Sequence, residues 1–290
     1  MFSQLIINGI SSGSLYALVA LAMVIIYKAS EVPNFAQGEM ATLSVFVAWH
    51  FVNAQFLPFY QAVAAALLFA FAVGVLFEFT VLRRAEKPSI LELIVMTLGL
   101  QMFIYGIIGW KWGAEQKTFS LPIAEDSVVQ LGPVVIGWLN IITIVTSLLC
   151  VLLLYLFFTH TKLGTAMRAV QMNSTAARIN GIRVHRIMSL TWGLSAVIGT
   201  IAGILFAPVS PLDPQLMWDP LLKGFAAGVL GGMTSPFGAV LGGYILGIIE
   251  NLFGAYISLE FKSVVAFALI VLVLWFKPSG LFSRHYERKV

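Results

Sequence analysis

Nine apolar runs, separated by short polar segments, make up most of this sequence. A helix needs about 20 apolar residues to cross the ~30 Å hydrocarbon core of a bilayer. Only 10% of the residues are charged, against about 25% in an average protein, so little sequence remains for a soluble domain. We therefore predict an all-α polytopic membrane protein, one domain over residues 1–290 with about eight or nine transmembrane helices. The runs lie at roughly 4–27, 36–57, 59–82, 90–110, 134–158, 188–207, 220–233, 236–257 and 262–276.

Motifs for enzymatic chemistry are missing or misplaced in this sequence. The only cysteine is Cys150, so neither a disulfide framework nor a cysteine-based metal site is expected. No H-E-x-x-H or G-x-x-x-x-G-K-[ST] motif occurs, which leaves no recognisable zinc-protease or nucleotide site. The G-x-S-x-G pattern at 9–13 lies in an apolar helix and not at the strand-to-helix turn that a nucleophilic serine needs. We predict a membrane protein without enzymatic activity, cofactor, metal or nucleic-acid partner.

The basic residues orient the predicted helices. Thirteen of the 17 lysines and arginines fall in the segments 28–34, 83–89, 159–187 and 277–290. Cytoplasmic loops of membrane proteins carry an excess of such residues. We therefore predict an external N-terminus and a cytoplasmic C-terminus.

The run at 220–233 is short for a transmembrane helix and predicts a half-helix, so that the chain is broken around 220–236. Asp219 and Pro220 are suited to start it as N-cap and first-turn proline, and two glycines end it. Broken helices line binding sites in many transporters, although a tight hairpin at the cytoplasmic surface is an equal alternative. Small residues here also allow helices to pack closely. The residues of the break and its packing surfaces are Gly228, Gly231, Gly232, Pro236, Gly238, Gly242 and Gly243.

The loop at about 159–187 carries a basic island between two apolar runs. Residues 175–181 within it predict a short helix that a glycine terminates. Small and basic residues together favour docking of a soluble partner, whereas the positive-inside bias alone would predict a surface facing water or lipid headgroups. The residues that we predict to couple to a partner are Gly164, Arg168, Thr175, Ala176, Ala177, Arg178, Gly181 and Arg183.

Two glutamates, Glu39 and Glu250, lie inside apolar runs. A buried charge in a membrane is costly and is often retained for function. Asn34 and Gln37 predict a capping box at the start of the second helix, which leaves Glu39 unexplained. The residues that we predict to line or gate a pathway are Asn34, Phe35, Gln37, Gly38, Glu39, Glu250 and Asn251.

Two other carboxylates have structural explanations. Glu92 follows Ser89 at the spacing of a capping box. Glu78 lies close to Arg83 and Arg84 at a helix end, where ion pairing accounts for it.

Three segments resemble permease subunits of branched-chain amino-acid ABC transporters. The first is the GSLYAL sequence at 13–18 followed by NFAQGE at 34–39, although the family commonly has histidine where Gln37 stands. Residues 176–181 resemble the cytoplasmic EAA loop that contacts the ATPase, with Thr175 in place of its glutamate. The glycine-rich segment 231–243 is similar to a late segment of the family.

This resemblance implies a subunit of an ATP-driven importer in the bacterial inner membrane. It implies three kinds of partner: a second permease subunit, two cytoplasmic ATPase subunits and a periplasmic substrate-binding protein. The substrate would be a branched-chain amino acid or a related small molecule such as urea, an amide or an organic acid. From the residues alone, an ion-coupled secondary transporter or channel that uses Glu39 or Glu250 is the alternative.

Two predicted external segments are candidates for contact with the binding protein. They are residues 111–133 and the loop 208–219, both of which carry charged side chains. The residues concerned are Trp112, Lys117, Glu125, Asp126, Asp213 and Asp219.

Overall fold

The computed structural model describes residues 2–85, 89–122, 128–131 and 134–282. Regular structure within these ranges is almost entirely helical, which confirms the predicted all-α class. The remaining regular structure consists of two antiparallel strands, β1 (Val128–Leu131) and β2 (Val134–Gly137), and a 3₁₀ turn at Leu82–Arg84. The helices are α1 (Phe2–Ser30), α2 (Gln37–Asn53), α3 (Phe59–Thr80), α4 (Ile90–Trp112), α5 (Trp138–His160), α6 (Lys162–Met172), α7 (Ser174–Ile179), α8 (Val184–Phe206), α9 (Trp218–Gly231), α10 (Pro236–Tyr256) and α11 (Val264–Phe276).

Length separates these helices into two groups. Within the described ranges, six are long and apolar enough to cross a membrane, namely α1, α3, α4, α5, α8 and α10. The apolar helices α2, α9 and α11 are shorter, with 17, 14 and 13 residues. The run predicted to begin at residue 134 starts as strand β2, because Val134–Gly137 pairs with β1 before helix α5 begins.

Backbone contacts divide the chain into two compact units. The first comprises Met1–Val24, Ala124–Leu149 and Pro220–Val290, and the second comprises Ile25–Ile123 and Cys150–Asp219. The single domain expected from the sequence stays a prediction.

Glycines hold α1 against α10 in the first unit. A Cβ added to Gly9 would lie 2.7 Å from the Cα of Ile248, and one added to Gly13 would lie 2.8 Å from the Cα of Tyr244. Real Cβ atoms do not approach a backbone so closely, so only glycine permits this separation of the two helices. The four-residue spacing of these glycines therefore forms a packing seam inside the chain.

In the second unit, α3 and α8 make a similarly close contact. A Cβ on Gly74 would lie 2.5 Å from the carbonyl oxygen of Trp192, and one on Gly193 would lie 2.7 Å from the ring of Phe71. The Trp192 side chain is buried at this crossing and packs on Phe77, with ring centroids 5.4 Å apart. These contacts fix the middle of α8 against α3.

The break between α9 and α10 lies at the predicted glycines. Helix α9 ends at Gly231, Gly232 has a φ of 106°, and Ser235 caps α10 by accepting a hydrogen bond from the Gly238 N–H at 3.0 Å. Pro236 is the first residue of α10, as expected. The prediction that Asp219 is the N-cap of α9 is wrong. The helix already begins at Trp218, whose N–H donates to the Gln215 carbonyl in the preceding turn.

Candidate functional site

A buried ion pair joins the half-helix to its neighbour in the first unit. Lys223 on α9 places Nζ 2.7 Å from Oε1 of Glu250 on α10, and the two side chains are 9% and 0% exposed. Sequence reasoning proposed Glu250 but missed Lys223, which it counted only as a basic residue outside the cytoplasmic segments. The sequence feature that could have identified Lys223 is a lysine near the start of a short apolar helix.

Tyr16 of the GSLYAL segment lies beside this pair, and Ser14 of the same segment makes separate polar contacts in the first unit. The Lys223 Nζ lies 5.5 Å from the centre of the Tyr16 ring. Ser14 Oγ donates to Tyr244 Oη at 3.4 Å, and its backbone oxygen accepts from Ser147 Oγ at 3.1 Å. The tyrosine and serine of the segment thus make polar contacts among apolar helices.

Asn251 and Ser11 make further polar contacts within the first unit. Asn251 Nδ2 donates to the Gly247 carbonyl at 2.9 Å and to Ser12 Oγ at 3.4 Å. Ser11 Oγ donates to Asn140 Oδ1 at 3.0 Å from within helix α1. A serine in mid-helix with an amide partner has neither the sharp turn nor the base of a serine nucleophile.

The second unit has its own buried polar network at the start of α2. Gln37 Nε2 donates to the Ser195 carbonyl at 3.0 Å, and Gln37 Oε1 accepts from Ser195 Oγ at 3.0 Å. Asn34 Nδ2 donates to the same Oε1 at 3.2 Å. The predicted capping box of Asn34 and Gln37 is wrong, because Asn34 Oδ1 accepts from the Ala36 N–H while the Gln37 amide is directed at α8.

A glycine on α8 makes room for the Gln37 amide. A Cβ on Gly199 would overlap Gln37 Nε2, and one on Gly203 would lie 2.9 Å from Val45 Cγ2. Gly199 and Gly203 have the four-residue spacing that allows helices to pack closely, but that spacing does not reveal that a polar side chain fills the space.

We expect Gln37→Leu to lower the free energy of unfolding by about 2–4 kcal/mol. The leucine would leave the buried Asn34 and Ser195 side chains without their Gln37 partners, and each such group costs about 1–3 kcal/mol. Thermal unfolding of the purified variant in detergent measures the loss. Gln37→His, which keeps a donor and an acceptor, is the control and should lose less than half as much. Equal losses in both variants would contradict a hydrogen-bonding role.

Glu39 lies in the first turn of α2, at the same buried helix start. Its Oε1 accepts a hydrogen bond from Gln101 Nε2 on α4 at 2.9 Å, and its Oε2 has no hydrogen-bond partner among the described residues. Gly38 is also buried, whereas Phe35 is half-buried. The pathway roles of these residues stay predictions.

Glu78 and Glu92 are explained as the sequence predicted. Arg83 Nη2 lies 3.0 Å from Glu78 Oε2 and donates to Ser189 Oγ at 2.7 Å, which ties the end of α3 to α8. The capping box of Ser89 and Glu92 at the start of α4 is confirmed, with both reciprocal hydrogen bonds present.

Helices α6 and α7 carry most of the residues that we predict to couple to a partner, and we call them the coupling segment. Capping hydrogen bonds are present at the ends of both helices. The Thr161 Oγ1 accepts from the Gly164 N–H at 2.9 Å, and Asn173 Oδ1 accepts from the Ala176 N–H at 2.9 Å. The cap of α7 is therefore Asn173. At its other end, Gly181 has a φ of 81° and the Ile182 N–H donates to the Ala177 carbonyl at 3.0 Å, a Schellman termination.

A small core fixes the coupling segment to α8. It comprises the buried side chains Met167, Val170, Ala177, Val184 and Ile187.

The predicted coupling residues fall on two sides of this segment. Gly164 and Ala177 are buried inside the chain, and a Cβ on Gly164 would lie 2.6 Å from the Cα of Phe158. Sequence reasoning missed two exposed apolar side chains beside the basic ones, Ile179 at 82% and Met172 at 73%. The predicted residues that are exposed are Arg168, Thr175, Ala176, Arg178, Gly181 and Arg183.

The two candidate external segments meet in the second unit. Lys117 and Leu212 form an antiparallel bridge, with N–H to carbonyl distances of 3.0 and 2.8 Å. Asp213 follows directly, and its Oδ1 accepts from the Gln215 N–H at 2.8 Å. Glu125 and Asp126 lie outside the described residues.

A cavity of about 680 Å³ lies among α2, α3 and α4. Its described lining is aliphatic and aromatic, with Thr80 and Lys111 as the polar exceptions. Such a lining offers few partners for a charged solute. The buried polar contacts of Glu250 and Gln37 lie outside this lining.

Comparison with known proteins decides the class of the molecule. The sequence profile of the family described as "Branched-chain amino acid transport system / permease component" matches residues 5–274. The chain belongs to this permease family.

Full-length relatives of this permease occur in bacteria and archaea. It is 29% identical to the high-affinity branched-chain amino acid transport system permease protein LivH of Escherichia coli K12, over 100% of this chain and 98% of the relative. It is 28% identical to BraD of Pseudomonas aeruginosa, with the same coverage. It is also 27% identical to a probable LivH of Methanocaldococcus jannaschii, over 96% of this chain and 92% of the relative. No solved structure matches the chain.

These relatives are transport subunits and not enzymes, as predicted for this permease from its sequence. A more distant relative is the autoinducer 2 import system permease protein LsrC of Yersinia pseudotuberculosis, 27% identical over 83% of this chain. The permease is accordingly a multi-pass membrane protein of a transport system.

Proposed function

We propose that this permease forms the translocation path of an ATP-driven importer for branched-chain amino acids. The observation that carries the proposal is the exposed surface of α6 and α7, which is basic and partly apolar. The buried side chains of these two helices pack against the first turn of α8. The relatives' names supply the substrate class. A second permease subunit, two ATPase subunits and a periplasmic binding protein complete the proposed assembly.

The proposed mechanism couples an ATPase to α8 through the core of the coupling segment. Ile179 and Met172 offer exposed apolar area, and three exposed arginines of the same stretch of sequence, Arg168, Arg178 and Arg183, add positive charge. A protein interface commonly combines an apolar centre with a polar rim. Ala177 of α7 belongs to the same buried core as Val184 and Ile187 of α8. A force on α7 is therefore transmitted to α8 through these side chains and does not depend on the loop that joins the two helices.

The orientation of the chain follows from the same proposal. The coupling segment and the C-terminus face the cytoplasm of the bacterial cell, and the bridge of Lys117 and Leu212 faces the periplasm, where the binding protein docks. Asp213→Arg should weaken stimulation of ATP hydrolysis by the binding protein, and unchanged stimulation would exclude this loop from the contact.

Reconstitution tests the proposal directly. The permease is expressed with the other genes of its operon, purified in mild detergent and placed in liposomes with ATP and radiolabelled leucine. ATP-dependent uptake with a co-purifying ATPase is the expected result. Uptake by the single chain, driven by a proton or sodium gradient without ATP, would replace the proposal with the ion-coupled alternative.

Substitutions at Gly181 separate its backbone role from partner contact. Gly181→Ala carries the cost of a positive φ, about 1 kcal/mol, with little added bulk, whereas Gly181→Trp adds a large side chain. Apart from its chain neighbours, no described residue has an atom within 4 Å of a Cβ placed there, so the tryptophan has room among the described residues of the isolated permease.

We expect Gly181→Trp to reduce leucine uptake per ATP hydrolysed at least tenfold, while Gly181→Ala stays within twofold of the native protein. Uptake and phosphate release are measured on the same liposomes, and thermal unfolding verifies that both variants fold. Normal coupling in the tryptophan variant would count against docking at this surface.

A further inference from the structure

We propose that the cavity among α2, α3 and α4 binds an acyl chain of an anionic phospholipid, whose phosphate is contacted by Lys111. The proposal depends neither on the transported substrate nor on the energy source of transport. It starts from the apolar lining of the cavity and from the lysine at one end of it.

The cavity lies between two helices, α3 and α4, that are both long and apolar enough to cross a membrane. Phe77 and Ile104 in its lining are buried, whereas Leu76 and Phe103 are 59% and 66% exposed. The cavity therefore has a closed floor and is open towards the surface of the unit. Water does not fill an apolar cavity, and an empty one loses dispersion contacts. At membrane depth, hydrocarbon is the material available to fill it.

The dimensions of the cavity suit a single hydrocarbon chain. Its lining on α4 runs from Met96 to Trp112, a rise of about 24 Å. A volume of about 680 Å³ over that length corresponds to a mean cross-section of about 28 Å². A helix with its side chains is about 10 Å wide and needs about 80 Å². A helix of a partner subunit is therefore too thick for the cavity, whereas a chain from one leaflet, which covers about 15 Å, is short enough to lie along it.

Lys111 places a positive charge at the end of the cavity where a headgroup would lie. It is the penultimate residue of α4, next to Trp112, and both residues line the cavity. Its Nζ lies 4.7 Å from the centre of the Trp112 ring, and it has no ion pair or hydrogen bond with any described residue. Lysine and tryptophan at the end of a spanning helix lie at the level of the lipid headgroups. The ammonium group can therefore donate to a phosphate whose acyl chain lies in the cavity.

The charge of the described lining favours an anionic headgroup. Its other polar side chain named above, Thr80, already donates from Oγ1 to the Leu76 carbonyl at 2.7 Å, which leaves Lys111 as the charged group of the described lining. Phosphatidylethanolamine carries an ammonium of its own that competes with Lys111 for the phosphate, and phosphatidylglycerol does not. One lysine beside an anionic lipid corresponds to a preference of about fivefold.

Gly99 allows the cavity to be filled by a side chain. It lines the cavity, and outside its own helix backbone no described residue has an atom within 4 Å of a Cβ at that position. Gly99→Phe therefore places a ring where the acyl chain would lie, and it also replaces a glycine that disfavours the helix. Gly109→Phe on the same helix is the matched control. A Cβ at Gly109 is equally free of described neighbours, and Gly109 is not part of the described lining.

The test measures lipid retention by the full-length permease, purified with any subunits that accompany it. Detergent exchange removes bound lipid, and phosphatidylglycerol or phosphatidylethanolamine is then added in mixed micelles. Native mass spectrometry counts the lipids retained, and the melting temperature verifies the fold. We expect one phosphatidylglycerol to be retained, and to be held at least about tenfold more weakly by Gly99→Phe, since displacing two methylenes already costs that much. Gly109→Phe should retain it like the native protein.

Lys111→Met tests the headgroup contact separately. Methionine keeps an apolar stem of similar length but has no charge, so the preference for phosphatidylglycerol over phosphatidylethanolamine should fall about fivefold. An unchanged preference would overturn the proposal, and this variant carries the test if Gly99→Phe does not fold.

The other outcomes are equally decisive. Native-like retention by Gly99→Phe, or equal retention of both lipids by the native protein, overturns the proposal. If the native protein retains no lipid and Gly99→Phe releases a partner subunit, the cavity is a subunit contact and the proposal is wrong. ATP-dependent uptake of leucine is unaffected by any of these results as evidence for the proposed function, so the two proposals stand or fall separately.

Discussion

Gly231→Leu is expected to abolish folding of the permease. This is the largest effect that we expect from a single substitution in this chain. A Cβ on Gly231 would overlap the carbonyl oxygen of Gly238, and it would lie 2.6 Å from the Ala239 nitrogen. These atoms belong to the backbone of α10 and cannot rotate away, so the two helices must separate. Overpacking usually costs about 1–3 kcal/mol when side chains can adjust, and a clash with backbone exceeds that range.

The yield of monodisperse protein in detergent and its melting temperature measure this effect. Gly106→Leu on α4 is the matched control, because outside its own helix backbone no described residue has an atom within 4 Å of a Cβ at that position. It should purify and melt like the native protein. A folded Gly231→Leu variant with a native melting temperature would mean that α9 and α10 do not pack through these glycines.

Lys223→Met alone is expected to lower the free energy of unfolding by about 3–5 kcal/mol. It leaves the fully buried Glu250 carboxylate without its counter-ion, and an uncompensated buried charge costs about that much. Removing both charges in Lys223→Met/Glu250→Met should restore stability to within about 1 kcal/mol of native, because no unpaired charge remains.

Chemical or thermal unfolding of the four members of this cycle gives the coupling between the two side chains. Glu260→Met, at an exposed glutamate, is the control for loss of a carboxylate and should leave the melting temperature unchanged. If the single and double variants lose equal stability, the two charges are not energetically coupled in the folded protein.

Much of the fold follows from patterns of neighbouring residues. Continuous apolar runs predicted the helices, since a helix at membrane depth satisfies its own backbone hydrogen bonds and needs no partner to form. The predicted break at Gly231, Gly232 and Pro236 was correct, because caps and terminators act through hydrogen bonds within a few residues. The same locality explains the correct capping box at Ser89 and Glu92.

Local patterns failed where a distant group competed for a side chain. Gln37 has the spacing of a capping partner for Asn34, yet its amide bonds Ser195, which is 158 residues away in the sequence. Ala177 has the small side chain expected at a docking surface, but it is buried under α6 and α8. Where two arrangements of a side chain have similar free energies, a tertiary contact decides which one forms.

By itself, the sequence determined the class of this protein, the approximate ends of its helices, the basic character of the coupling segment and its likeness to a permease family. Hydropathy and capping depend on sequence neighbours, so they can be deduced without coordinates. The tertiary structure decided which charges meet. Lys223 and Glu250 are separated by a helix break, and their pairing depends on Gly231 and Gly238 bringing α9 and α10 into backbone contact. That contact is a product of three-dimensional packing, and no local pattern encodes it.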